Sequence, residues 1–413
     1  MQVDADRLWQ TIQGMGEIGK TPGGGSSRLA LSDEDIEGRK EFLRWVSHEG
    51  CHYRTDVYGN IFVQRTGNDN SLKPVVLGSH LDTQPRGGKF DGVLGVLSGL
   101  EVIRVLNEHR VVTKRPIEIA VWTNEEGSRF SPAMSGSAAF AGLLSETDYR
   151  SSQDAEGNTL GECLDISGFK GDLLPNDIPI GCYLELHIEQ GPILEERNIP
   201  VAVVNGVQGV LWLDIHFYGE SAHAGPTPMA NRKDALFAAS DFINKFREET
   251  LKDKKDDARF TVGNLSVGHP SRNVVPSLTI VNVDIRHVND IELERLEEKV
   301  HCLLKEMKEE HGVEVAVEIK WKMPVLKFND NLLNVLSKAV SKCDVAPFMM
   351  MSGAGHDAAN ISRISPTAML FVPSVNGISH NEREFTNKEH CALGAQALLN
   401  AVLDLANNEK DFN

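Results

Sequence analysis

Two textures alternate along the first third of the chain. Short apolar runs, "VVLGS" from 75 and "IEIAVWT" from 117, enclose "GVLGVLSGLEVIRVLNE" from 92, which is apolar at helical spacing. The runs predict strands buried on both faces, and the longer stretch predicts a helix laid against them. The strand signal returns in "YLELHI" from 183 and "AMLFV" from 368, and the helical one in "NDNLLNVLSKAVSK" from 329. This rhythm predicts an α/β layer around a buried sheet, with ligands bound at the carboxyl ends of the strands. His80, Glu125, Glu126 and His187 fall at or just beyond such ends.

Residues 210 to 326 read differently. "LWLDIHFYG" alternates like a half-exposed strand, "NRKDALFAASDFINKF" has helical period, and "FTVGNLSVG" with "LTIVNVDIR" reads as an antiparallel pair. "DIELERLEEKVHCLLKEMKEEHG" is an amphipathic helix, and "EVAVEIKW" closes the set. The order is βαββαβ, the split βαβ arrangement of a self-contained small domain. Because the first texture resumes after it, the small domain is expected as an insertion at 210–326, with 1–209 and 327–413 forming the larger domain. "LKDKKDDAR" at 251–259 is expected to be a solvated helix end or loop.

A chain of 413 residues exceeds the size at which one core stops growing, in keeping with two domains. Its formal net charge of −17 repels phosphate backbones and anionic bilayers, which excludes nucleic acid and membrane as expected partners. A small ligand fits better, and an anionic one remains open, because a few local cations outweigh the global field within about 8 Å. Six cysteines at 51, 163, 182, 302, 343 and 391 form no CxxC pair. That spacing predicts reduced thiols and a cytoplasmic protein. The opening "MQVDADRLWQ" has acids where a signal peptide needs a basic start, and no apolar run reaches the length of a membrane span.

The chemistry begins at "GSHLDTQPRGGKFDG", residues 78 to 92, where His80, Asp82 and Asp91 share a stretch with little side-chain bulk. Its glycines let backbone wrap closely, as a loop around an ion requires. In the HxD unit, Asp82 is placed to accept from a metal-bound imidazole and fix its tautomer. "WTNEEGSRF" then offers adjacent carboxylates, Glu125 and Glu126, which can divide labour between proton transfer and cation binding. "LELHIEQG" adds His187, Glu189 and Gln190, and "SVNGISHNERE" adds His380. Taken alone, each histidine reads more readily as a structural residue than as a ligand, and the paired acids read equally well as a helix cap. Together they make a mixed N/O shell for one or two divalent ions such as zinc, manganese, cobalt or nickel. In "MSGAGHDAAN", His356 and Asp357 open a short helix. That stretch reads either as an anion-binding helix start or as a plain cap by Asp357.

Taken in order, "GSHLDT", "GGKFDG", "TNEEGSRF", "LHIEQG", "ESAHAGPTP", "SRNVVPS", "DIRH" and "GISHNE" resemble the metal-dependent amidohydrolases of the M20 peptidase superfamily. The likeness covers roughly residues 5 to 405. It is strongest to the branch of N-carbamoyl-L-amino acid hydrolases, β-ureidopropionases and allantoate amidohydrolases. The resemblance implies a metallopeptidase-like α/β catalytic domain with an inserted ferredoxin-like βαββαβ domain serving as lid and homodimer contact. It implies two divalent ions bridged by Asp91, one completed by His80 and His187, the other by Glu126 and His380. Glu125 matches the general base, Asp82 the acid behind the metal-binding histidine, and His223 the histidine that polarises the scissile carbonyl. Asn273 and Arg286 match residues that hold a substrate carboxylate, and Gln190 lines the same site.

Such a centre predicts hydrolysis of the ureido bond in a small carboxylate-bearing N-carbamoyl amino acid. A histidine at 187, where many peptidases of the superfamily carry an acid, favours the carbamoyl-cleaving branch. Allantoate hydrolysis, an aminoacylase or dipeptidase activity, and a non-catalytic amino acid or peptide binder on the same scaffold are the alternatives. Arg286 in a surface ion pair and His223 as a loop residue are the structural alternatives for those two positions.

Overall fold

The computed structural model describes every residue except 254, 256, 409–411 and 413. Contacts within the chain divide it into two compact units, Met1–Gly206 with Phe328–Asn413, and Val207–Lys327.

The first unit is built on one mixed sheet. Its parallel heart consists of Ile117–Trp122, Val75–His80, Cys182–Ile188 and Thr367–Val372, side by side in that order. Every residue of these four strands is buried, as expected where helices cover both faces of a parallel sheet. Antiparallel strands flank the heart. Ile61–Arg65 pairs with Ile117–Trp122 and His52–Thr55 with Ile61–Arg65 on one side, and Ala202–Val207 pairs with Thr367–Val372 on the other. The helix Val93–Glu108 is buried around almost its whole circumference, which explains why its sequence shows little amphipathic bias. The helices Ala5–Glu17 and Lys388–Ala406 pack beside it. Because the four central strands run the same way, His80, His187 and the turn after Trp122 emerge at one rim.

The second unit is a four-stranded antiparallel sheet with two helices. In chain order it runs Gly209–Tyr218, helix Ala235–Thr250, Arg259–Val267, Leu278–His287, helix Asp290–His311 and Glu314–Met323. In space the fourth strand lies beside the first, then the third, then the second. That is the split βαβ order, and alternation along Gly209–Tyr218 sends Leu211, Leu213, Ile215 and Phe217 into a core shared with Phe242, Phe246, Leu296 and Val300. Helix ends follow local chemistry. Asn289 accepts from the N–H groups of Ile291 and Glu292, and Gly312 closes the same helix in a left-handed conformation. Of the stretch read as solvated, 251–253 forms a turn and Arg259 already opens a strand, while residues 254 and 256 lie outside the described residues. Among the described residues, no helix is long and apolar enough to cross a membrane.

Candidate metal centre

His80 is the last residue of its strand and His187 the last but one of the neighbouring strand, so both imidazoles leave the sheet at the same rim. Each is aimed by the main chain. Nδ1 of His80 lies 2.8 Å from the carbonyl oxygen of Asp82, and Nδ1 of His187 lies 2.9 Å from that of Ile188. A carbonyl can only accept, so both Nδ1 atoms carry protons and Nε2 is the acceptor nitrogen of each ring, that of His187 accepting from the Gly92 N–H at 3.2 Å. Both Nε2 atoms face Oδ1 of Asp91, at 3.5 and 3.1 Å. Nε2 of His80 is buried with no hydrogen-bond partner, although it lies only 3.4 Å from Oε2 of Glu125.

This corrects the expected part of Asp82. Its carboxylate is 3.8 Å from the His80 ring, and its backbone carbonyl orients the histidine instead. The buried carboxylate accepts from the main-chain N–H groups of Glu125 at 3.3 Å and Glu126 at 3.1 Å. Asp82 therefore ties the loop that carries the two glutamates to the end of the strand that carries His80.

Asp91 turns its second oxygen to a different set of partners. Oδ2 lies 3.4 Å from Nε2 of His380, which is 3.3 Å from Oε2 of Glu126. Gln190 donates to the same Oδ2 at 2.8 Å, and Gln84 donates to Glu126 Oε2 at 2.7 Å. Two triads of donor atoms result, His80–Asp91–His187 and Asp91–Glu126–His380, with the atoms of each within 4.8 Å of one another. Close backbone approach makes this possible. Gly92 has φ +67°, and a Cβ there would sit 2.4 Å from the His80 ring.

A surplus of buried acid pervades the centre. Burial pushes Glu125 well above the usual carboxylate range, the positive pull of His80 only partly offsets it, and Asp357, Glu126 and Asp91 add to the rise. Burial and the neighbouring Asp91 carry Glu126 up to about 7. Burial alone would raise Asp91 too, but the three imidazoles around it prevail and hold it well below its ordinary value. His80 is raised: burial opposes its charge, yet the carboxylates led by Glu125 outweigh that penalty. Imidazole nitrogens and carboxylates without thiols, one buried Nε2 lacking any partner, and excess negative charge fit a divalent cation with N and O ligands.

Four acids and one histidine complete the picture. Glu185, two residues before His187, was not singled out in the sequence, yet its buried carboxylate accepts from Ser79, Tyr183 and the N–H of Ala358. Glu384, in the charged string after His380, was also missed, and it accepts from the N–H groups of Phe90 and Asp91. The only local signal for Glu185 was a charge inside an otherwise apolar strand. His356 is buried with its ring 4.5 Å from that of His187, and its Nε2 meets Ser352 Oγ at 2.9 Å. Glu185, His187 and His356 also lie close enough to share an ion, but both nitrogens of His187 are committed elsewhere. Asp357 does not cap the helix Asp357–Ile361; its carboxylate accepts from Ser137, and His356 holds the cap position without a side-chain bond. Glu189 is a local support, accepting from the N–H groups of Ile193 and Leu194.

The second unit holds the remaining expected residues. His223 and Asn273 are neighbours through the ribbon Ala222–His223 and Val274–Val275, where Ala224 N–H donates to the Asn273 carbonyl. Arg286, on the strand Leu278–His287, donates from Nε and Nη2 to the Asp284 carboxylate at 2.7 to 3.1 Å. The eight others, His80, Asp82, Asp91, Glu125, Glu126, His187, Gln190 and His380, form one cluster in the first unit.

Strand-end imidazoles and acids gathered around one carboxylate form a candidate site for divalent cations. The chain belongs to peptidase family M20/M25/M40, whose model matches residues 76–404. It is 39% identical over 405 residues to an N-carbamoyl-L-amino-acid amidohydrolase of Rhizobium meliloti, covering 98% of this chain and 97% of the relative. It is 32% identical over 400 residues to the allantoate amidohydrolase of Escherichia coli strain K12, covering 96% and 97% of the two chains. A solved amidase of the hydantoinase/carbamoylase family from Burkholderia multivorans superposes with a TM-score of 0.93 at 42% identity, covering 98% of this chain and 99% of that one.

Proposed function

We propose that the chain hydrolyses the carbamoyl C–N bond of N-carbamoyl amino acids, with L-α-amino acids or β-alanine as the carrier, releasing amino acid, ammonia and carbon dioxide. The observation that carries this reading is the convergence of His80, His187, Glu126 and His380 on the two oxygens of Asp91, with Glu125 alongside. The names of the relatives support the substrate class. His80, His187 and Asp91 would hold one divalent cation and Asp91, Glu126 and His380 a second; zinc, manganese, cobalt and nickel all suit the donor set. Bound there, such ions polarise a carbonyl and sharpen a water into a nucleophile at neutral pH.

The rest falls to side chains. Glu125 takes a proton from the attacking water and passes it to the departing nitrogen, a task suited to a carboxyl whose buried setting raises its proton affinity. Asp82 holds Glu125 in place through the main chain. Arg286 and Asn273 bind the substrate carboxylate, the guanidinium by a two-pronged contact that Asp284 now occupies, and His223 donates to the ureido oxygen. The second unit acts as lid and as the contact of a homodimer.

The test is an ammonia-release panel of N-carbamoyl-L- and D-amino acids, N-carbamoyl-β-alanine, allantoate and acyl amino acids. It is run after chelation and separate return of each metal. Metal-restored turnover of an N-carbamoyl amino acid is expected. Preference for allantoate would favour the second reading, which the Escherichia coli relative supports. Acyl turnover without carbamoyl turnover, or ligand binding with no ammonia, would overturn the proposal.

A further inference from the structure

Asp91 faces two ways: Oδ1 toward His80 and His187, Oδ2 toward His380. That division survives only if the backbone carrying Asp91 and the rotation of its carboxylate are both fixed, and no residue of either donor triad fixes them. Glu384 meets the first need. Its Oε1 accepts from the main-chain N–H groups of Phe90 and Asp91, each at 3.1 Å. The loop closes on it without slack, for a Cβ at Gly88 would fall 2.0 Å from that oxygen. Next door, Phe385 packs edge-on against Phe90 and Trp9, anchoring the same stretch from the apolar side.

Ser379 meets the second need. Its hydroxyl lies 2.9 Å from Asp91 Oδ2 and 3.1 Å from Glu384 Oε2. A hydroxyl has one proton to give, so it serves one acid at a time and couples the orientation of the two. Gln190 adds its own donation to Oδ2.

We propose that Glu384 is a positioning residue for Asp91. It acts through the backbone of residues 90 and 91 and through Ser379, and so decides which carboxylate oxygen each half of the centre receives. This rests on the reading of Asp91 as the shared ligand. The role is one of shape: a glutamine at 384 can accept from both N–H groups with its oxygen and donate to Ser379 with its nitrogen, leaving the serine proton for Asp91.

The experiment uses the full chain, stripped by chelation and titrated with Co²⁺, reading occupancy by calorimetry and ligand geometry by visible absorption. Glu384→Ala is expected to lose about 10–100-fold in Co²⁺ affinity, the scale of a lost outer support, with an altered spectrum. Glu384→Gln is expected to match the wild type in both. Ser379→Ala is expected to change the spectrum of the ion bound second, and it carries the test should Glu384→Ala not fold. Wild-type behaviour of Glu384→Ala or of Ser379→Ala, or a Glu384→Gln variant as impaired as the alanine, overturns the proposal while leaving the metal centre standing. A wild-type chain that takes up no Co²⁺ overturns both.

Discussion

The two halves of the centre share Asp91 but are built from different materials. His80 and His187 stand on adjacent parallel strands, are about 1% exposed, and have each Nδ1 pinned by a backbone carbonyl. His380 sits in a loop at φ +52°, is 49% exposed, and competes with Gln190 and Ser379 for the same Asp91 oxygen. A strand end inside a covered sheet cannot yield without disturbing its neighbours, whereas a loop can. The contrast teaches that the fold itself holds the first pair of imidazoles while the third depends on a loop; under the proposed reading the first half would be preorganised for a cation and the second completed on binding.

The largest expected effect separates the halves directly. His187→Ala should abolish turnover and retain no cation through dialysis in the strand-borne half, while His380→Ala should keep one equivalent, both read by elemental analysis. Equal losses would erase the distinction. Glu125→Gln should lower kcat by about 10²–10⁴-fold while leaving the cation content of both halves intact. An unchanged kcat would remove Glu125 from its role.

A smaller effect follows from pH. In the cation-free protein His380 is raised from 6.5 to about 9, first by its hydrogen bond to Asp91. A cation must expel that proton, so affinity at the loop-borne half should climb with pH, by up to about tenfold per unit, and level off near 9. Calorimetry in buffers of differing ionisation heat should register proton release below that pH and little above it. The smallest effect on activity is expected from Tyr183→Phe. It strips a partner from the buried Trp122 Nε1 and from Glu185, beneath the strand-borne half. Unfolding by denaturant should show a loss of about 1–3 kcal/mol, with cation binding at the His380 half unchanged.

Much of this was legible before any coordinates, because buried parallel strands write themselves as unbroken apolar runs. "VVLGS", "IEIAVWT", "YLELHI" and "AMLFV" all became strands of the central sheet, and the βαββαβ pattern reappeared as a four-stranded sheet under two helices. The candidate ligand residues stood out since polar groups that end an apolar run have little structural reason to be there. What escaped was support. Glu384 is one of several charges in "HNERE", and nothing local marks which of them turns inward; that depends on Phe90 and Asp91, nearly three hundred residues earlier. The work of Asp82 was read onto the wrong atoms for a similar reason, since a sequence names side chains while the carbonyl that orients His80 belongs to every residue alike.

That carbonyl has a lasting effect on how the enzyme can change. The handles that set both inner imidazoles are main-chain carbonyls, so exchanging the side chains of Asp82 or Ile188 does not remove the accepting group itself. Evolution, or an engineer, is free to reshape the walls that choose a substrate while the grip on the reactive core stays the same.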